Sequence, residues 1–310
     1  MNFKLNDLYE VVGISKQAVH KFRKSNEIFD VKLEELFTQV DILREDHPGC
    51  GARKMYYTLK PDFIGRDRFE ALMMRYGYRI KYPKNYIRTT ISAHYRYPNL
   101  IEGCCIAEMN LIWQSDITYI HVNGRFYYIV FILDVYSRRI LGYEASDHLR
   151  AQANVKALNQ ALSIRKEERL SKLFHHSDRG SQYISHEYTG ILTSRSIAIS
   201  MGLKATENAY AERINGIIKN EYLKYREMKN LADLKRELKR AVNHYNKYRQ
   251  HNNLQRMSPV DFEKKLINLN DQKKPTVTIH TDGYDKFKEA SNLFELRPER
   301  NLGIQICPIL

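Results

Sequence analysis

The feature that most constrains the fold is the run of residues 126–137, "FYYIVFILDVYS", which is almost unbroken in apolar and β-branched residues. A strand that is solvated on one face alternates apolar and polar residues, whereas a strand covered on both faces reads as a continuous apolar run. The dipeptide "NG" at residues 123–124 precedes this run and is typical of a tight hairpin turn. We therefore predict a sheet that other elements cover on both faces at this strand.

The segments around this run complete an α/β pattern. Residues 111–122, "LIWQSDITYIHV", and residues 138–146, "RRILGYEAS", are predicted to be neighbouring strands. The chain then alternates between helical and strand-like segments, in the order "AQANVKALNQALSIR", "KLFHHSD", "SHEYTGILTSRS" and "IAISM", before a further helix. Three consecutive strands followed by alternating helices and strands is the order of the ribonuclease-H-like α/β fold, which is the fold class that we predict.

Two aspartates lie on strands of this predicted sheet. Asp116 is inside the first strand, and Asp178 is at the end of the fourth, just before the turn "RGSQY". A carboxylate inside a core strand is costly unless it is paired or binds a metal. Because the first and fourth strands are neighbours in this fold, the pair predicts a site for magnesium, which prefers carboxylate oxygens. Asp134 ends the second strand and is more typical of a turn or cap with Ser137 and the following arginines.

The charge of the chain restricts its partners. The formal net charge is +14, with 50 Lys and Arg against 36 Asp and Glu. This excess favours a polyanionic partner, either nucleic acid or an acidic membrane surface, with simple solubility as the alternative. No apolar run approaches the ~18–20 residues of a membrane span, and the N-terminus lacks a signal-peptide pattern, so we expect a soluble, cytosolic protein. The cysteine spacing indicates reduced thiols, not a disulfide framework or a zinc site.

Basic helical segments precede the predicted sheet. Residues 1–30 read as a short helix, the turn "GIS" with Ser15 as N-cap, and a basic helix. This is the outline of a helix-turn-helix segment, with a plain helical hairpin as the alternative. Residues 31–95 are predicted to form a second helical DNA-binding domain, and an ordinary bundle with a solvated basic face is the alternative. Residues 96–109 lack periodicity and are predicted to be a linker.

Two further segments follow the alternating pattern. Residues 230–259, "NLADLKRELKRAVNHYNKYRQHNNLQRMSP", are predicted to form a long basic helix that tracks DNA phosphates, packs on the core, or does both. This helix belongs to the predicted catalytic core at residues 110–268. Residues 269–310 begin polar, become strand-like and end in the apolar tail "NLGIQICPIL"; we predict a C-terminal extension and assign it no role.

Five blocks in chain order carry a family resemblance: "WQSDITYI", "ILDVYSRRILGY", "HHSDRGSQY", "SMGLKATENAYAERINGIIKNEY" and "YNKYRQHNNLQRMSPVDF". Together they resemble DDE transposases of the retroviral-integrase superfamily, and most of all the insertion-sequence group whose transposase is often made from two overlapping reading frames. "HPGCGARKMYYTL" and "RYGYRIK" resemble the helical domain that precedes the catalytic core in that group. The resemblance covers roughly residues 41–266, and its specificity lies in the ordered set of blocks.

The resemblance also selects one of the three glutamates in residues 206–222. The family pattern has a glutamate after the two aspartates and a Lys or Arg seven residues further on. Glu212 has Lys219 at that spacing, and helical periodicity predicts both on one face. Glu207 and Glu221 have no basic residue seven positions later, and Glu207 is expected at or before the helix start.

The resemblance then implies a complete site. Asp116, Asp178 and Glu212 are the expected catalytic residues and metal ligands, with two Mg²⁺ ions as cofactors and Mn²⁺ as a substitute. The loop between Asp178 and Glu212 is slightly shorter than the family pattern, with 33 residues between them. Residues expected to contact DNA are Lys219, Asn208, Asn215, Arg179, Gln182, Lys16, Gln17, Lys21, Arg23, Arg53 and Lys54. His175 and His176 precede Asp178, and a packed core histidine is the expected role for one of them.

The function that the resemblance implies is that of a DNA transposase. It would cut and join DNA strands at the ends of an insertion sequence, with terminal inverted repeats and target DNA as partners, as a homodimer or higher oligomer on DNA. A bacterial cytoplasmic location, at the nucleoid when bound to DNA, follows from this. A catalytically inactive DNA-binding protein or repressor from such an element is the alternative. A ribonuclease-H-like hydrolase acting on RNA is a third reading, which the flanking basic helical segments disfavour.

Overall fold

The computed structural model describes residues 9, 11–80, 97–166, 170–202, 205–279 and 304–306. The chain divides into two compact units, Met1–Lys81 and Tyr82–Leu310. Within the described ranges, no helix is both long enough and apolar enough to cross a bilayer.

The described part of the N-terminal unit contains the helices α1 (Lys16–Asp46), α2 (Ala52–Leu59) and α3 (Arg66–Arg75). Ser15 caps α1 by accepting a hydrogen bond from the backbone N–H of Ala18, as the sequence predicts. α1 is one continuous helix of 31 residues. The expected boundary between residues 30 and 31 therefore lies inside a helix, and the sequence prediction of two separate helices here is wrong.

The continuity of α1 has a simple cause, because residues 16–46 contain no glycine or proline to break the helix. Its C-terminal half is anchored to the core of the unit, where Leu36 and Val40 pack with Met55, Phe69 and Met73. The helix expected at "LNDLYEVV" lies largely outside the described residues.

The second unit is organised around a five-stranded sheet in the order β4-β3-β2-β5-β6. The strands described in this unit are β1 (Cys104–Ile106), β2 (Ile112–Val122), β3 (Arg125–Asp134), β4 (Ile140–Ser146), β5 (Phe174–Ser177), β6 (Ala198–Met201), β7 (Val277–Thr278) and β8 (Ile304–Ile306). β2, β3 and β4 are antiparallel, whereas β5 runs parallel to β2 and β6 parallel to β5. The β2–β3 hairpin turns at Asn123 and Gly124, with φ angles of 46° and 80°, as its sequence predicts. This is the ribonuclease-H-like topology.

Helices cover both faces of the sheet at β3, as the continuous apolar run predicts. The helices described in this unit are α4 (Gln152–Arg165), α5 (His186–Ser194), α6 (Ala209–Ile217), α7 (Leu231–Lys247) and α8 (Pro259–Ile267). Val130 and Ile132 pack with side chains of α4 and α5. Ile129, Phe131 and Leu133 face the other way and pack with side chains of α6 and α7. The basic helix α7 thus packs on the core and keeps its charged face outward.

A second, three-stranded sheet joins the predicted linker to the C-terminal extension, which the sequence describes only as partly strand-like. β1 lies between β7 and β8 and is antiparallel to both. The expected linker at residues 96–109 therefore contains a paired strand, and residues 269–310 supply both partners. Ile106, Val277 and Ile279 are buried in the core of this sheet. The prediction missed β1 and β8 because they have only three residues each, too few to show periodicity, whereas β7 lies in the stretch described as strand-like.

Candidate active site

Asp116 and Asp178 lie side by side because β2 and β5 are parallel neighbours. Ser115 of β2 pairs with Ser177 of β5, and each aspartate is the next residue along the chain. Since paired strands are about 4.8 Å apart, Asp116 inside β2 and Asp178 directly after β5 lie next to each other. The structure therefore brings together the two aspartates that the sequence places on neighbouring strands.

The carboxylate of Asp116 lies among charges of the same sign. Its pKa is raised well above the ordinary value, first by burial and then by repulsion from Asp178 and Glu212. Asn215 opposes this shift by donating from Nδ2 to Oδ2 of Asp116 at 2.6 Å. Burial also raises the pKa of Asp178, whose Oδ1 accepts a hydrogen bond from the backbone N–H of Gly180 at 3.0 Å.

Glu212 reaches the same place from the first turn of α6. Its pKa is raised by burial and by repulsion from Asp178. Two carboxylates from the sheet and one from a helix therefore interact electrostatically with one another. Of the three glutamates in residues 206–222, Glu212 is the one coupled to both aspartates.

Gln114 fixes the start of α6 on the sheet and is a positioning residue that the sequence patterns do not identify. Its Oε1 accepts hydrogen bonds from the backbone N–H groups of Tyr210 and Ala211, at 3.1 and 3.3 Å. Its Nε2 donates to the carbonyl of Glu207 at 3.2 Å. The signal in the sequence is a glutamine inside an otherwise apolar strand, two residues before Asp116. The structure shows that this glutamine is fully buried. Gln114 acts on the site by holding the helix that carries Glu212.

The other two glutamates have different surroundings. Glu207 lies in the 3₁₀ turn Ala205–Asn208, which precedes α6 as the sequence predicts. Glu221 lies in a π-helical turn, Ile218–Tyr222, directly after α6. Its two carboxylate oxygens accept from Nε and Nη2 of Arg249 at 2.8 and 2.7 Å, so Glu221 belongs to an ion pair in the core.

Lys219 extends from the same π-helical turn toward the carboxylates. Its Nζ donates to Oγ1 of Thr118 at 3.2 Å and lies 5.0 Å from the ring centre of Tyr119. Burial lowers the pKa of this lysine, and attraction to Asp116 opposes the shift. A short π-helical turn inside a helix is often found at a functional site, and here it carries the lysine that the family pattern selects.

The remaining residues expected to contact DNA fall into two groups in the second unit. Asn208 and Asn215 are buried, and their amides are directed inward, to the carbonyl of Ser115 and the carboxylate of Asp116. Both amides therefore help to fix the site, and the expected DNA contact of these two residues stays a prediction. Arg179 is partly buried in the turn after Asp178. Gln182 donates to the carbonyl of Leu149 at 2.8 Å, which ties this turn to the loop before α4.

The basic and polar residues expected to bind DNA in the N-terminal unit lie on α1 and α2. Those exposed on α1 are Lys16, Gln17, Lys21 and Arg23. On α2, Arg53 is exposed and forms an ion pair with Glu70 at 2.9 Å, and Lys54 is partly buried.

Two secondary predictions about buried polar residues are confirmed. Asp134 caps its turn, because its carboxylate accepts from the backbone N–H groups of Ser137 and Asn110 at 2.8 and 2.6 Å. His175 is a packed core residue whose Nε2 lies 2.8 Å from the hydroxyl of Tyr188. Burial, and next to it the neighbouring His176, lower the pKa of His175 to about 3, so its ring is neutral.

The three carboxylates fit a divalent cation by their chemistry. Hard cations such as Mg²⁺ bind carboxylate oxygens, and a cation would relieve the burial that raises the pKa of all three groups and the repulsion that adds to it at Asp116 and Glu212. In the part of the chain that the structure describes, however, no three His, Cys, Asp or Glu side chains are close enough to enclose one ion. Asp116 and Asp178 each accept one hydrogen bond from a neighbouring amide, through Oδ2 and Oδ1 respectively.

A ribonuclease-H-like sheet with acidic residues at neighbouring strands and on the following helix defines a class. It is that of the integrase-core enzymes, which are of the polynucleotidyl-transferase type. The integrase core domain family matches residues 107–206 of this chain, and a second integrase core domain family matches residues 195–259.

Relatives of this chain identify the family within that class. A putative transposase for the insertion sequence element IS986/IS6110 of Mycobacterium tuberculosis is 31% identical over 248 residues, which cover 76% of this chain and 88% of the relative. The transposase for the element IS629 of Shigella sonnei is 32% identical over 226 residues, covering 71% of this chain and 75% of the relative. The chain belongs to the family of insertion-sequence transposases with an integrase core domain.

Among solved structures, the chain is similar to the catalytic core domain of HTLV-2 integrase in complex with magnesium. The two are 22% identical, with a TM-score of 0.40, over 53% of this chain and 98% of that one. The catalytic core domain of BIV integrase is 18% identical, with a TM-score of 0.39, over 50% of this chain and 95% of that one.

Proposed function

We propose that this chain is a DNA transposase that cuts and joins DNA strands at the ends of its insertion sequence, with divalent metal ions held by Asp116, Asp178 and Glu212. The observation that carries this proposal is the electrostatic coupling of the three carboxylates, which come from β2, the end of β5 and α6. Three carboxylates held together against their mutual repulsion are a costly arrangement, and sites of this kind are more often functional than structural.

The chemistry needs little from the protein beyond position and charge. Magnesium ions, when bound, supply positive charge at the reacting phosphate and activate the attacking oxygen. Water attacks a phosphodiester at the element's end, the P–O bond to the leaving strand breaks, and a 3′-hydroxyl is released. That hydroxyl then attacks a second phosphodiester in line and displaces its 3′-hydroxyl, so strands are joined without a covalent protein intermediate.

The residues around the carboxylates position the reacting groups. Asn215 sets the orientation of Asp116, and Gln114 holds the start of α6 and thereby Glu212. Lys219 supplies a cation beside Asp116 and is suited to bind a phosphate near the cut. Arg179, in the turn after Asp178, is suited to bind a phosphate of the same DNA strand.

DNA recognition is assigned to the N-terminal unit. Its exposed polar and basic side chains on α1 and α2 are suited to the terminal inverted repeats: Lys16, Gln17, Lys21, Arg23, Arg53 and, partly buried, Lys54. The two ends of an insertion sequence are related by symmetry, so we propose that at least a homodimer assembles on them, with target DNA as the third partner.

The test is an assay of cleavage and joining with the full chain and duplex DNA that carries the element's end. We expect cut strands with 3′-hydroxyl ends and joined products in Mg²⁺ or Mn²⁺, and neither product in a chelator. Asp116→Asn should abolish both products while DNA binding persists. A protein that binds the ends but never cuts them in any divalent metal would instead support the inactive DNA-binding alternative.

A further inference from the structure

A small cavity lies on the face of the sheet that α4 covers, opposite to the face that α6 covers. We name it the α4 pocket. Its volume is about 10 Å³, and its lining includes Ile117 and Val130 from the sheet, His148 and Arg150 from the loop before α4, and Asn154 from the first turn of α4. A cavity of this volume is just large enough to hold one water molecule or one oxygen of a phosphate group.

Asn154 carries a hydrogen-bond donor into this cavity. Its side chain is 2% exposed, and its Nδ2 has no hydrogen-bond partner among the described residues. A buried polar group without a partner costs about 1–3 kcal/mol, so its presence needs an explanation. A bound oxygen acceptor in the α4 pocket would satisfy it.

The start of α4 adds further donors at the same place. α4 has 14 residues, no acidic residue in its first turn and no side-chain hydrogen bond at its N-cap, Ala151. Unpaired N–H groups and the helix dipole therefore make this end attractive to an anion. Arg150 is exposed directly before the helix and adds a positive charge. The same loop carries the exposed carboxylate of Asp147, whose Oδ1 lies 4.0 Å from Nε2 of His148.

The α4 pocket is connected to the catalytic aspartates. Ile117 follows Asp116 on β2, and its side chain belongs to the face that α4 covers. Leu149 of the pocket loop accepts a hydrogen bond from Nε2 of Gln182, four residues after Asp178. The pocket is thus linked to the aspartates along β2 and through the Gln182–Leu149 contact, although Ile117 and Asp116 point to opposite faces of the strand.

We propose that the α4 pocket binds a DNA phosphodiester close to the reacting one. One non-bridging oxygen accepts from Nδ2 of Asn154 and from the N–H groups at the start of α4, and Arg150 neutralises the charge. The proposal rests on the proposed function for the identity of the DNA. The phosphodiester belongs either to the element's end or to the target strand, and the pocket chemistry is the same for both.

The test uses the full chain, a 30-base-pair duplex of random sequence and no divalent metal. The salt dependence of binding is measured by fluorescence anisotropy for the wild type, Arg150→Gln, Gln152→Glu and Asn154→Leu. We expect Arg150→Gln and Gln152→Glu to lower the log–log salt slope by about 1, and each of the three variants to lower the affinity in 0.1 M salt by roughly five- to ten-fold. Lys264→Gln, which removes one exposed charge from α8, is the matched control and should leave binding at the wild-type value.

Gln152→Glu separates the proposal from a simple folding defect. Gln152 is exposed at the first position of α4, where a negative charge favours the helix. The melting temperature of the Gln152→Glu variant should equal or exceed that of the wild type, while the DNA affinity of the variant falls. Salt slopes equal to the wild-type slope in all three variants would overturn the proposal and leave a water as the occupant.

The cleavage and joining assay then identifies the source of the phosphodiester. A ten-fold or greater loss of joining alone in Arg150→Gln assigns it to the target strand, and a similar loss of cleavage as well assigns it to the element's end. If the wild type never cuts DNA but the salt slopes still fall in the variants, the phosphate site stands and the proposed function fails.

Discussion

At the scale of single residues, Asn215 stabilises the negative charge of Asp116 within the site. Asp116 is repelled by Asp178 and Glu212, and the amide of Asn215 donates to it at 2.6 Å. Oδ1 of Asn215 is buried and has no hydrogen-bond partner among the described residues, so the side chain is held for its donor. Residues that orient a metal ligand in this way commonly affect metal affinity and activity by 10–100-fold.

Asn215→Ala should therefore weaken metal use without unfolding the protein. We expect DNA cleavage to fall by about 10–100-fold and the Mg²⁺ concentration for half-maximal activity to rise. Asn243→Ala, on the exposed face of α7, is the matched control and should leave both quantities unchanged. An unchanged Mg²⁺ dependence in Asn215→Ala would show that Asn215 does not orient Asp116.

A second prediction at this scale concerns acid stability and His175. Burial and the neighbouring His176 lower the folded-state pKa of His175 to about 3, against an ordinary value of 6.5. Below pH 6.5 the unfolded chain binds a proton that the folded chain does not. The contribution of this histidine to the free energy of unfolding is thus complete above pH 6.5. It is lost as the pH falls toward 3, by about 1.4 kcal/mol per pH unit.

His175→Gln should remove that share of the pH dependence. Urea unfolding between pH 6 and 4 would measure it, as a slope of unfolding free energy against pH that is about 1.4 kcal/mol per unit smaller than in the wild type. The variant is expected to be less stable than the wild type at pH 7, because the hydrogen bond with Tyr188 is altered. Equal slopes in the two proteins would contradict a neutral, buried His175.

At the scale of elements, the segment from the 3₁₀ turn through α6 and its π-helical turn distributes three glutamates over three environments. Glu207 lies before the helix, Glu212 faces the aspartates and Glu221 pairs with Arg249. The π-helical turn widens the helix by one residue, so side chains after residue 217 do not follow simple α-helical spacing. Identical residue types on one segment therefore serve different purposes.

Glu221→Gln should destabilise the fold while leaving the chemistry intact. It leaves Arg249, which is 7% exposed, without its carboxylate partner, and breaking such a pair costs about 3 kcal/mol or more. Glu212→Gln should do the reverse, because it removes a repelled charge: equal or higher stability, and no cleavage. Denaturant unfolding of both variants tests this, and a loss of stability in Glu212→Gln alone would contradict the assignment.

The sequence predicted the elements whose residues carry their own periodicity. β3 was identified because its continuous apolar run admits few alternatives, and Asp116 and Asp178 because charge is rare inside core strands. Glu212 needed the family resemblance, since spacing alone did not separate it from Glu207. Gln114 could not be assigned, because its role depends on contacts with residues almost a hundred positions away.

At the scale of the whole molecule, the C-terminal extension helps to complete the fold of the second unit. β7 and β8 pair with β1, and Val277 and Ile279 are buried beside Ile106. The hydroxyl of Tyr136 also donates to the carbonyl of Pro275 at 2.7 Å. A segment to which the sequence assigned no role is therefore part of the core's packing.

Removing residues 270–310 should destabilise the second unit. The loss of two buried aliphatic side chains alone amounts to about 3–6 kcal/mol. A shorter truncation, which removes residues 280–310, is the control, because it keeps β7 and its packing against β1. Thermal unfolding would compare the two, and equal melting temperatures would show that β7 does not stabilise the core.

The central claim is that Asp116, Asp178 and Glu212 form one metal-dependent site in a transposase. Its most direct test is Mg²⁺-dependent cleavage of DNA carrying the element's end, by the wild type, Asp178→Asn, Glu212→Gln and Glu207→Gln. We predict cleavage by the wild type and by Glu207→Gln, and about a thousand-fold less by the other two, which is the upper range for the loss of one interaction that stabilises charge in the transition state. Loss of cleavage in Glu207→Gln with full activity in Glu212→Gln would contradict the site described above.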